Sequence, residues 1–331
     1  MVNTNKLKIG ITGGTGYLGN RLIELLADKN VEITCFVRES SRVLQNNSVK
    51  YFKGDLLSVK SLQSFVEDKN VIIHLAAQVS HTTKEKYYLT NQTGTENICK
   101  AIESANPGCR LIFCSSIAAY RIKGLIKVHF TDYAKSKLAA DKIVDLYMSK
   151  IKATTIVPGL IYGAGKNVFI SAIIENLKNN KLFFAKGGEH YAPLSYIDDL
   201  CDLFIKAAFN EDSAGNKYFG INYSEKGIHE FIRMIARRLN YDYPQKIMSK
   251  RILMTKAVIY TYIYKTFKIN KIPKMPVRMV DVLSINYKLS ESQRKNNIGW
   301  TPKVSMEEGV DIVTDLYDLC SIARDSKLKT M

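Results

Sequence analysis

A glycine-bearing turn near the N-terminus constrains the fold of this chain more than any other feature. The turn follows the apolar run Leu7–Thr12 and carries glycines at positions 13, 16 and 19, where a helical leucine pattern begins. In this context the first glycine permits a tight turn, the second lets a pyrophosphate approach the backbone at a helix N-terminus, and the third allows close helix–strand packing. A plain flexible turn is the alternative, but a second strand pattern follows at Val31–Val37, as a dinucleotide site requires. The predicted cofactor contacts in this segment are Gly13, Thr15, Gly16, Tyr17, Leu18 and Gly19.

Strand and helix patterns alternate through the first half of the chain. Further short apolar runs occur at 49–52, 71–77, 110–114 and 154–157. A long helical stretch spans 84–104. Parallel strands joined by crossover helices predict an α/β fold with a doubly wound parallel sheet of the Rossmann type. The later helical patterns lie at 170–179, 197–210, 229–239, 252–267 and 306–320. We therefore predict a nucleotide-binding domain over 1–160 and a smaller C-terminal substrate-binding lobe over 161–331.

Composition bounds the class of protein. Of the 331 residues 46% are hydrophobic, so the chain can bury a large core. No apolar run approaches the roughly 20 residues that a transmembrane helix needs, and the N-terminal residues carry no cleavage-site motif. The six cysteines are scattered without paired spacing, which is typical of reduced, buried thiols. We expect a cytoplasmic protein without a metal site.

The formal net charge of +17 raises the question of an anionic partner. The basic residues are spread over the whole sequence, and no basic run is interleaved with base-stacking aromatics, so nucleic acid is not an expected partner. The local exception is 250–274, which has seven basic residues, no acid and an apolar core at 257–264. This segment is too short to span a membrane. It is interpreted as an interfacial helix with peripheral membrane contact, as a lid over the substrate pocket, or as a buried helix with solvated lysine ends.

The residues after the second strand pattern bear on the choice of cofactor. Many dinucleotide sites carry an acid there that binds the ribose diol, but this chain has Arg38, with Ser40, Ser41 and Arg42 behind it. A guanidinium can stack on adenine while it pairs with a 2′-phosphate, which favours NADP(H) over NAD(H). Arg38 could instead be an ordinary surface arginine, and the neighbouring Glu39 makes the cofactor assignment less clear.

Tyr133 and Lys137 form a candidate acid–base pair. If their segment is helical, residues four apart project from one face. The ammonium would then favour the phenolate and lower the tyrosine pKa from about 10 towards neutrality. Taken alone, such a pair is more often a packed ring beside a solvated amine. The glycine turn and the strand–helix alternation upstream favour the catalytic interpretation.

Short motifs follow one another in a specific order along nearly the whole chain. They are Thr12–Gly19, Gly54–Leu56, His74–Ala77, Asn91–Thr95, Ser115–Ser116, Tyr133 with Lys137, Pro158–Gly163, Tyr196–Leu200, Gly299–Pro302 and Glu307–Gly309. In this order and spacing the chain resembles the extended short-chain dehydrogenase/reductase superfamily, of the epimerase/dehydratase type. The resemblance implies an NAD(P)-dependent enzyme for a small-molecule substrate, and a homodimer through the helices beside Tyr133 is an expectation of the family.

The resemblance also assigns cofactor contacts. Asp55 would hydrogen-bond the adenine amine with Leu56 beside the ring. Ala76 and Ala77 would line the cofactor ribose, and Pro158 would border the nicotinamide.

The catalytic set that the resemblance implies is Ser116, Tyr133, Lys137 and Asn91. Ser116 and Tyr133 would hydrogen-bond the substrate carbonyl oxygen as the hydride arrives, and Tyr133 would exchange the proton. Lys137 would hold the nicotinamide ribose and lower the tyrosine pKa, while Asn91 would sit beside the site on the long helix. The alternatives are a strand-end hydroxyl that caps the backbone for Ser116 and a helix-interior amide for Asn91.

The sequence leaves the substrate open between two classes. Sugar-nucleotide members of the superfamily often have an arginine before Pro158 and another ahead of the Asp-Asp-Leu motif, where this chain has Val157 and 190–194, although Lys186 or Arg251 could substitute. We therefore expect a hydroxysteroid dehydrogenase-like oxidoreductase that interconverts a ketone and a secondary alcohol. The alternative is a nucleotide-sugar epimerase, dehydratase or 4-ketoreductase. A cofactor-binding protein without turnover is disfavoured, because both members of the tyrosine–lysine pair are present.

Overall fold

The structure is a computed structural model of the chain, and it describes residues 6–41, 48–80, 82–120, 131–165, 167–267, 277–296 and 298–328. Its strands are β1 Leu7–Thr12, β2 Val31–Val37, β3 Val49–Lys53, β4 Val71–His74, β5 Arg110–Cys114, β6 Ala153–Pro158, β7 Leu160–Tyr162, β8 Phe184–Ala185, β9 Leu194–Tyr196, β10 Lys217–Gly220 and β11 Ile247–Met248.

The α-helices are α1 Tyr17–Leu26, α2 Val59–Val66, α3 Lys84–Tyr88, α4 Gly94–Ala105, α5 Ile117–Tyr120, α6 Asp132–Tyr147, α7 Val168–Lys178, α8 Ile197–Phe209, α9 Ile228–Arg238, α10 Lys250–Thr266, α11 Val277–Leu283, α12 Glu291–Lys295 and α13 Met306–Leu328. A π-helical turn, Leu89–Thr93, joins α3 to α4, and a 3₁₀ turn, Glu211–Ser213, follows α8.

Seven strands form one parallel sheet in the order β3-β2-β1-β4-β5-β6-β10. The chain moves outward from β1 to β3 and then returns to the other side of β1 with β4, so the strand order reverses between β1 and β4. Ligands of doubly wound sheets bind outside the carboxyl ends of the strands at such a reversal. The predicted fold class is confirmed.

Helices cover the sheet on both faces because its strands are apolar on both sides. β4 and β6 are buried along their whole length, as expected for central parallel strands. On one face α2, α4 and α6 pack in series over a core that includes Leu62, Phe65, Ile98 and Val144. On the other face α8 packs against α1 and against β4, β5 and β6.

The chain divides into two compact units. Unit 1 comprises Met1–Gly159, Ile197–Gly220 and Glu291–Thr301 and holds the seven-stranded sheet. Unit 2 comprises Leu160–Tyr196, Ile221–Ser290 and Pro302–Met331.

Unit 2 contains two short parallel strand pairs, β7 with β9 and β8 with β11, together with α7, α9, α10, α11 and α13. Its core is aromatic. The Tyr162 ring is fully buried and meets the rings of Tyr196 and Phe231 edge-on, with centroid distances of 5.6 and 5.0 Å.

Candidate active site

The glycine turn between β1 and α1 forms a tight cradle at the start of the helix. Gly13 has a φ of 76°, which favours glycine, and a Cβ there would lie 2.6 Å from the Ala76 backbone nitrogen. A Cβ at Gly19 would overlap the Gly13 carbonyl oxygen, so α1 packs directly on the turn. Gly16 is the N-cap of α1, whose first turn holds no acidic residue, and the helix therefore presents positive partial charge to the turn. This cradle fits the pyrophosphate of a dinucleotide.

The other predicted residues of the turn differ in burial. Thr15 is exposed at the tip of the turn, whereas Tyr17 is half-buried and Leu18 is buried under the first turn of α1. A ligand at the turn would therefore meet Thr15 and the backbone, while Leu18 anchors the helix to the sheet.

A chain of hydrogen bonds connects the ends of β1 and β4 to α4. His74 Nδ1 lies 2.6 Å from Thr12 Oγ1, and His74 Nε2 lies 3.1 Å from Thr95 Oγ1. The Thr95 hydroxyl donates to the Asn91 carbonyl at 2.7 Å, so it accepts from Nε2–H. The Thr12 hydroxyl accepts from the Ala76 N–H at 3.3 Å and donates to Nδ1. Burial lowers the pKa of His74 to about 3, which keeps the imidazole in this neutral tautomer.

Asn91 lies in the π-helical turn, and its side chain is fully buried. Its Oδ1 accepts from the Gln78 N–H at 2.7 Å, and its Nδ2 donates to the Gln78 carbonyl at 3.2 Å and to Ser136 Oγ at 2.9 Å. The Ser136 hydroxyl in turn donates to the Tyr133 carbonyl at 2.8 Å. Asn91 thus ties the segment after β4 to the first turn of the helix that carries Tyr133.

Tyr133 and Lys137 both lie on α6, so the helical placement expected for the pair is present. The helix begins after the N-cap Thr131, whose hydroxyl oxygen accepts from the Ala134 N–H at 3.2 Å. Tyr133 is half-buried, and its ring meets the Tyr87 ring edge-on with 6.1 Å between the centroids.

Lys137 is buried although it carries an amine. Its Nζ donates to the Cys114 carbonyl at 2.7 Å and lies 4.7 Å from the centroid of the Phe113 ring. Burial lowers the pKa of Lys137, while Cys114 and Asp141 oppose that shift. Since β5 ends at Cys114, the amine is fixed at the carboxyl end of β5.

Ser116 lies two residues beyond the end of β5 and is buried. Its Oγ accepts from the Ala118 N–H at 3.2 Å, which leaves the hydroxyl proton as a donor for a ligand oxygen. α5 follows Ser116 and is held to α6 by Tyr120, whose hydroxyl donates to the buried Asp141 carboxylate at 3.1 Å. Asp141 lies one turn after Lys137, so this contact aligns the Ser116 segment with the helix of the pair.

Two cations lie at the ends of β2 and β3. Arg38 follows Val37, the last residue of β2, and is exposed. In the parallel register Val37 is opposite Lys53, the exposed last residue of β3. Arg42, which was predicted behind Arg38, lies outside the described residues.

Asp55 and Leu56 follow β3. The Asp55 side chain is exposed, and its Oδ1 accepts from the Leu57 N–H at 3.0 Å. Leu56 is half-buried, and its carbonyl accepts from Asn97 Nδ2 at 3.0 Å. The segment is therefore held by hydrogen bonds of the Asp55 and Asn97 side chains, and the Asp55 carboxylate lies at the surface.

Ala76 and Ala77 lie half-buried after β4, and Pro158 is the buried last residue of β6. The predicted residues of the cofactor and catalytic sets therefore follow the carboxyl ends of β1 to β6, apart from Asn91 and the α6 pair. Asn91 and α6 reach the same region through Gln78 and Cys114.

Three contributing residues were not singled out from the sequence. Ser136 links Asn91 to Tyr133, and its position three residues after Tyr133 is the one signal for this, since a serine hydroxyl can bond the carbonyl one turn back. Gln78 acts through its backbone, which no side-chain pattern reveals. Lys53 is placed beside β2 by the strand register, which becomes known only once the sheet order is known.

Burial favours the protonated form of four described thiols. Burial raises the pKa of Cys35, Cys99 and Cys109 to about 12 and that of Cys114 to about 11. Within the described ranges of the chain, no group of three or more His, Cys, Asp or Glu side chains could hold a metal ion. None of the helices in those ranges is long and apolar enough to cross a membrane.

Known proteins are similar to this chain in sequence or in fold. Residues 9–221 match the sequence profile of the NAD dependent epimerase/dehydratase family. The 2-alkyl-3-oxoalkanoate reductase of Stenotrophomonas maltophilia is 22% identical over 322 residues, which cover 92% of this chain and 97% of that protein. Human sterol-4-alpha-carboxylate 3-dehydrogenase, decarboxylating, is 26% identical over 265 residues, 74% of this chain and 70% of that protein. The structure of UDP-glucuronic acid 4-epimerase from Bacillus cereus, in complex with UDP-glucuronic acid and NAD, is similar with a TM-score of 0.69 at 16% identity, over 93% of this chain and 98% of that one.

The family profile covers more than half of the chain, while the structural likeness, at its low identity, shows the fold alone. The chain belongs to the NAD-dependent epimerase/dehydratase family and is an NAD(P)-dependent oxidoreductase of the extended short-chain dehydrogenase/reductase type.

Proposed function

We propose that the protein interconverts a ketone and a secondary alcohol, with Ser116, Tyr133 and Lys137 as the catalytic residues. The observation that carries this proposal is the buried Lys137 amine, fixed to the Cys114 carbonyl at 2.7 Å and one helical turn from Tyr133. A buried amine is costly to the fold, and such groups are typical of functional sites. Ser116 follows the same strand, two residues after Cys114, and the Lys137 amine is bound at the end of that strand.

The residues divide the chemistry among them. A bound nicotinamide dinucleotide would supply or accept the hydride. Ser116 and Tyr133 donate hydrogen bonds to the carbonyl oxygen, which gains negative charge in the transition state, and Tyr133 delivers the proton. A charged Lys137 stabilises the phenolate that remains. Asn91 acts as a positioning residue, because it holds the start of α6 through Ser136.

Unit 1 is the cofactor-binding part in this proposal, and unit 2 is the substrate-binding lobe. NADP(H) is favoured over NAD(H) because Arg38 and Lys53 place two cations at neighbouring strand ends, where a 2′-phosphate would gain charge-assisted hydrogen bonds. The test compares kcat/KM with NADPH and NADH in the wild type and in Arg38→Asp. We expect the NADPH/NADH preference to fall by roughly 10- to 100-fold in the variant, because a phosphate partner is replaced by a repelling carboxylate. An unchanged preference would remove Arg38 from the site.

The substrate class supported best is a lipophilic ketone or alcohol. Val157, immediately before Pro158, is fully buried and offers no cation for a substrate diphosphate. Of the arginines of unit 2, Arg233, Arg237 and Arg238 are paired with carboxylates, whereas Arg251, which could substitute for a diphosphate partner, is exposed. The curated relatives described above are named as a reductase and a dehydrogenase.

A cofactor-turnover screen tests this class directly. Lipophilic ketones, including 3-oxosteroids and long-chain 3-oxo acids, would be compared with nucleotide-4-ketosugars under the same conditions. We expect NADPH consumption with at least one lipophilic ketone and background rates with the sugars. Turnover confined to nucleotide sugars would overturn the substrate class while leaving the catalytic residues in place.

A further inference from the structure

Helix α10 of unit 2 carries an apolar face that points to solvent. The α10 face consists of Ile252, Ile259, Tyr262, Ile263 and Phe267, which are between 38% and 73% exposed. Their spacing of three, four and seven residues places them on one side of the helix. Scattered exposed apolar residues are ordinary, but Ile259, Tyr262, Ile263 and Phe267 lie next to one another, and an exposed apolar group of this kind marks an interaction surface.

The opposite side of α10 is fixed within unit 2. Leu253, Met254 and Ala257 are buried, and α10 packs against α11. A surface helix normally turns its apolar stripe inward and its polar side outward. α10 is apolar on both sides, so burial within unit 2 does not account for the α10 face.

The sequence around this face is strongly basic. Between residues 243 and 280 it contains nine lysines and arginines, and the acids Asp242 and Asp281 lie immediately outside this interval. Arg251, Lys256 and Arg278 are exposed among the described residues, and Lys256 lies within the stripe itself. Lys268, Lys271 and Lys274 follow in the sequence and lie outside the described residues.

The combination selects the kind of partner. Apolar and tyrosine side chains flanked by cations are suited to the headgroup boundary of a bilayer with anionic lipids. A second copy of this chain would bring two surfaces of the same positive sign together across a symmetric interface, which is unfavourable. None of the described helices could cross a bilayer, so contact of this kind is confined to the surface.

We propose that the α10 face docks on an anionic lipid surface, with Ile259, Ile263 and Phe267 among the acyl-chain boundary and Arg251 and Lys256 at the headgroups. The docking is independent of the proposed reaction. A lipid-associated enzyme would meet lipophilic substrates where they partition, but the surface can be tested without any substrate.

The chain offers a built-in spectroscopic probe. Its single tryptophan, Trp300, is 4% exposed and gives a constant background. In the full chain Tyr262→Trp places a reporter on the α10 face. Leu146→Trp is the matched control, since Leu146 is 73% exposed on α6 in unit 1. We expect a blue shift of Tyr262→Trp emission with phosphatidylglycerol vesicles at low salt, little shift with phosphatidylcholine vesicles, reversal at high salt, and no shift for Leu146→Trp.

Vesicle sedimentation measures how much the cationic and the apolar side chains of α10 each contribute to binding. Arg251→Ala and Lys256→Ala should each weaken binding about fivefold, because each cation near an anionic surface contributes a similar increment. Ile259→Ser with Ile263→Ser should weaken it more than tenfold. The exposed Lys29 of unit 1 provides the control Lys29→Ala, which should bind like the wild type.

Three results would overturn the proposal. The first is wild-type protein that stays in the supernatant with phosphatidylglycerol vesicles at low salt. The second is an equal blue shift at positions 146 and 262, which would mean that attraction is not localised to α10. The third is a dimer in light scattering that Ile259→Ser with Ile263→Ser dissociates, which would assign the face to a second copy. Thermal unfolding of every variant separates these outcomes from loss of the fold.

Discussion

Two tyrosine–lysine pairs of unit 1 have the same spacing on helices and different surroundings. On α3, Lys84 precedes Tyr88 by four residues, and its exposed Nζ lies 5.9 Å from the centroid of the Tyr88 ring. On α6, Tyr133 precedes Lys137 by four residues, and the buried Lys137 Nζ is bound to the Cys114 carbonyl at 2.7 Å. Residue types and spacing are shared, but the order of the two residues is reversed and the two lysines pack against different groups.

The surroundings decide what each pair can do. Burial, and then the charge of Asp132, raises the pKa of Tyr88, which is opposite to what proton transfer at neutral pH needs. The charge of an exposed lysine such as Lys84 is weakened by water and salt. In a buried position the same charge acts more strongly on a neighbouring phenol. Spacing therefore identifies a pair, and burial separates the catalytic candidate from the surface contact.

The largest expected contrast is in the two tyrosines. Tyr133→Phe should reduce kcat by about 10³-fold, because the proton donor is removed, while Tyr88→Phe should stay within a few-fold of the wild type. The measurement is NADPH oxidation with the best ketone from the screen. Cofactor affinity, followed by the fluorescence of bound NADPH, should be retained in both variants. Wild-type turnover in Tyr133→Phe, or equal losses in the two variants, would break the comparison.

The lysines should show the next largest contrast. Lys137→Met should lower kcat/KM by roughly 10²-fold and move the phenol-dependent limb of its pH profile to higher pH, because the nearby charge no longer favours the phenolate. Lys84→Met should change neither the rate nor the profile. Equal profiles for Lys137→Met and the wild type would show that this lysine does not act on the tyrosine.

The free energy of unfolding provides a second test of Lys137→Met. Methionine fills the space of the lysine stem and removes the amine whose pKa burial lowers, so the free energy of unfolding should not fall. A large loss of stability would instead explain the lower rate by damage to the fold.

Much of unit 1 could be predicted from local sequence patterns. The predicted bounds of β1, β2 and β5 match the structure, because each strand is a short apolar run between turn residues. The glycine turn was also predicted, because a glycine directly after an apolar strand indicates a tight turn. Gly13 has the left-handed φ that such a turn needs. Both are local properties of the chain.

Sequence patterns missed the features that distant residues decide. The helical stretch expected over 84–104 is confirmed, but its π-helical turn at Leu89–Thr93 was not predicted. Asn91 in that turn bonds to Gln78 and to Ser136, which are 13 and 45 residues away in sequence. The strand expected over 71–77 likewise ends at His74, and the segment beyond it bonds to Asn91. Such contacts leave no periodic signal, and π-helical turns are frequently found at functional sites.

Acid should weaken the hydrogen-bond chain of His74, which connects to Asn91 and the start of α6. Burial lowers the pKa of His74 from 6.5 to about 3, so between these values the unfolded chain binds the extra proton and the folded chain does not. The contribution of His74 to stability is therefore complete above about pH 6.5 and is lost progressively as the pH falls towards 3. Between pH 7 and pH 5 the wild type should lose roughly 2 kcal/mol more of its free energy of unfolding than His74→Gln, measured by urea titration. Equal losses in the two proteins would mean that His74 is accessible to protons in the folded state.

The smallest expected effect concerns the Ser136 hydroxyl, which donates to the Tyr133 carbonyl. Ser136 is fully buried, and its replacement in Ser136→Ala leaves one Asn91 amide proton and the Tyr133 carbonyl without this partner. The free energy of unfolding should fall by about 1–2 kcal/mol, because a buried donor loses its acceptor. The matched change on α3 is Thr83→Ala, which removes an exposed N-cap with a 3.4 Å contact to the Lys86 N–H and should cost less.

If Ser136 also positions the catalytic tyrosine, kcat should fall in Ser136→Ala at temperatures where the variant is fully folded and remain unchanged in Thr83→Ala. A stability loss without any change in kcat would restrict Ser136 and Asn91 to a structural role and leave Lys137 as the single feature that distinguishes the α6 pair from the α3 pair.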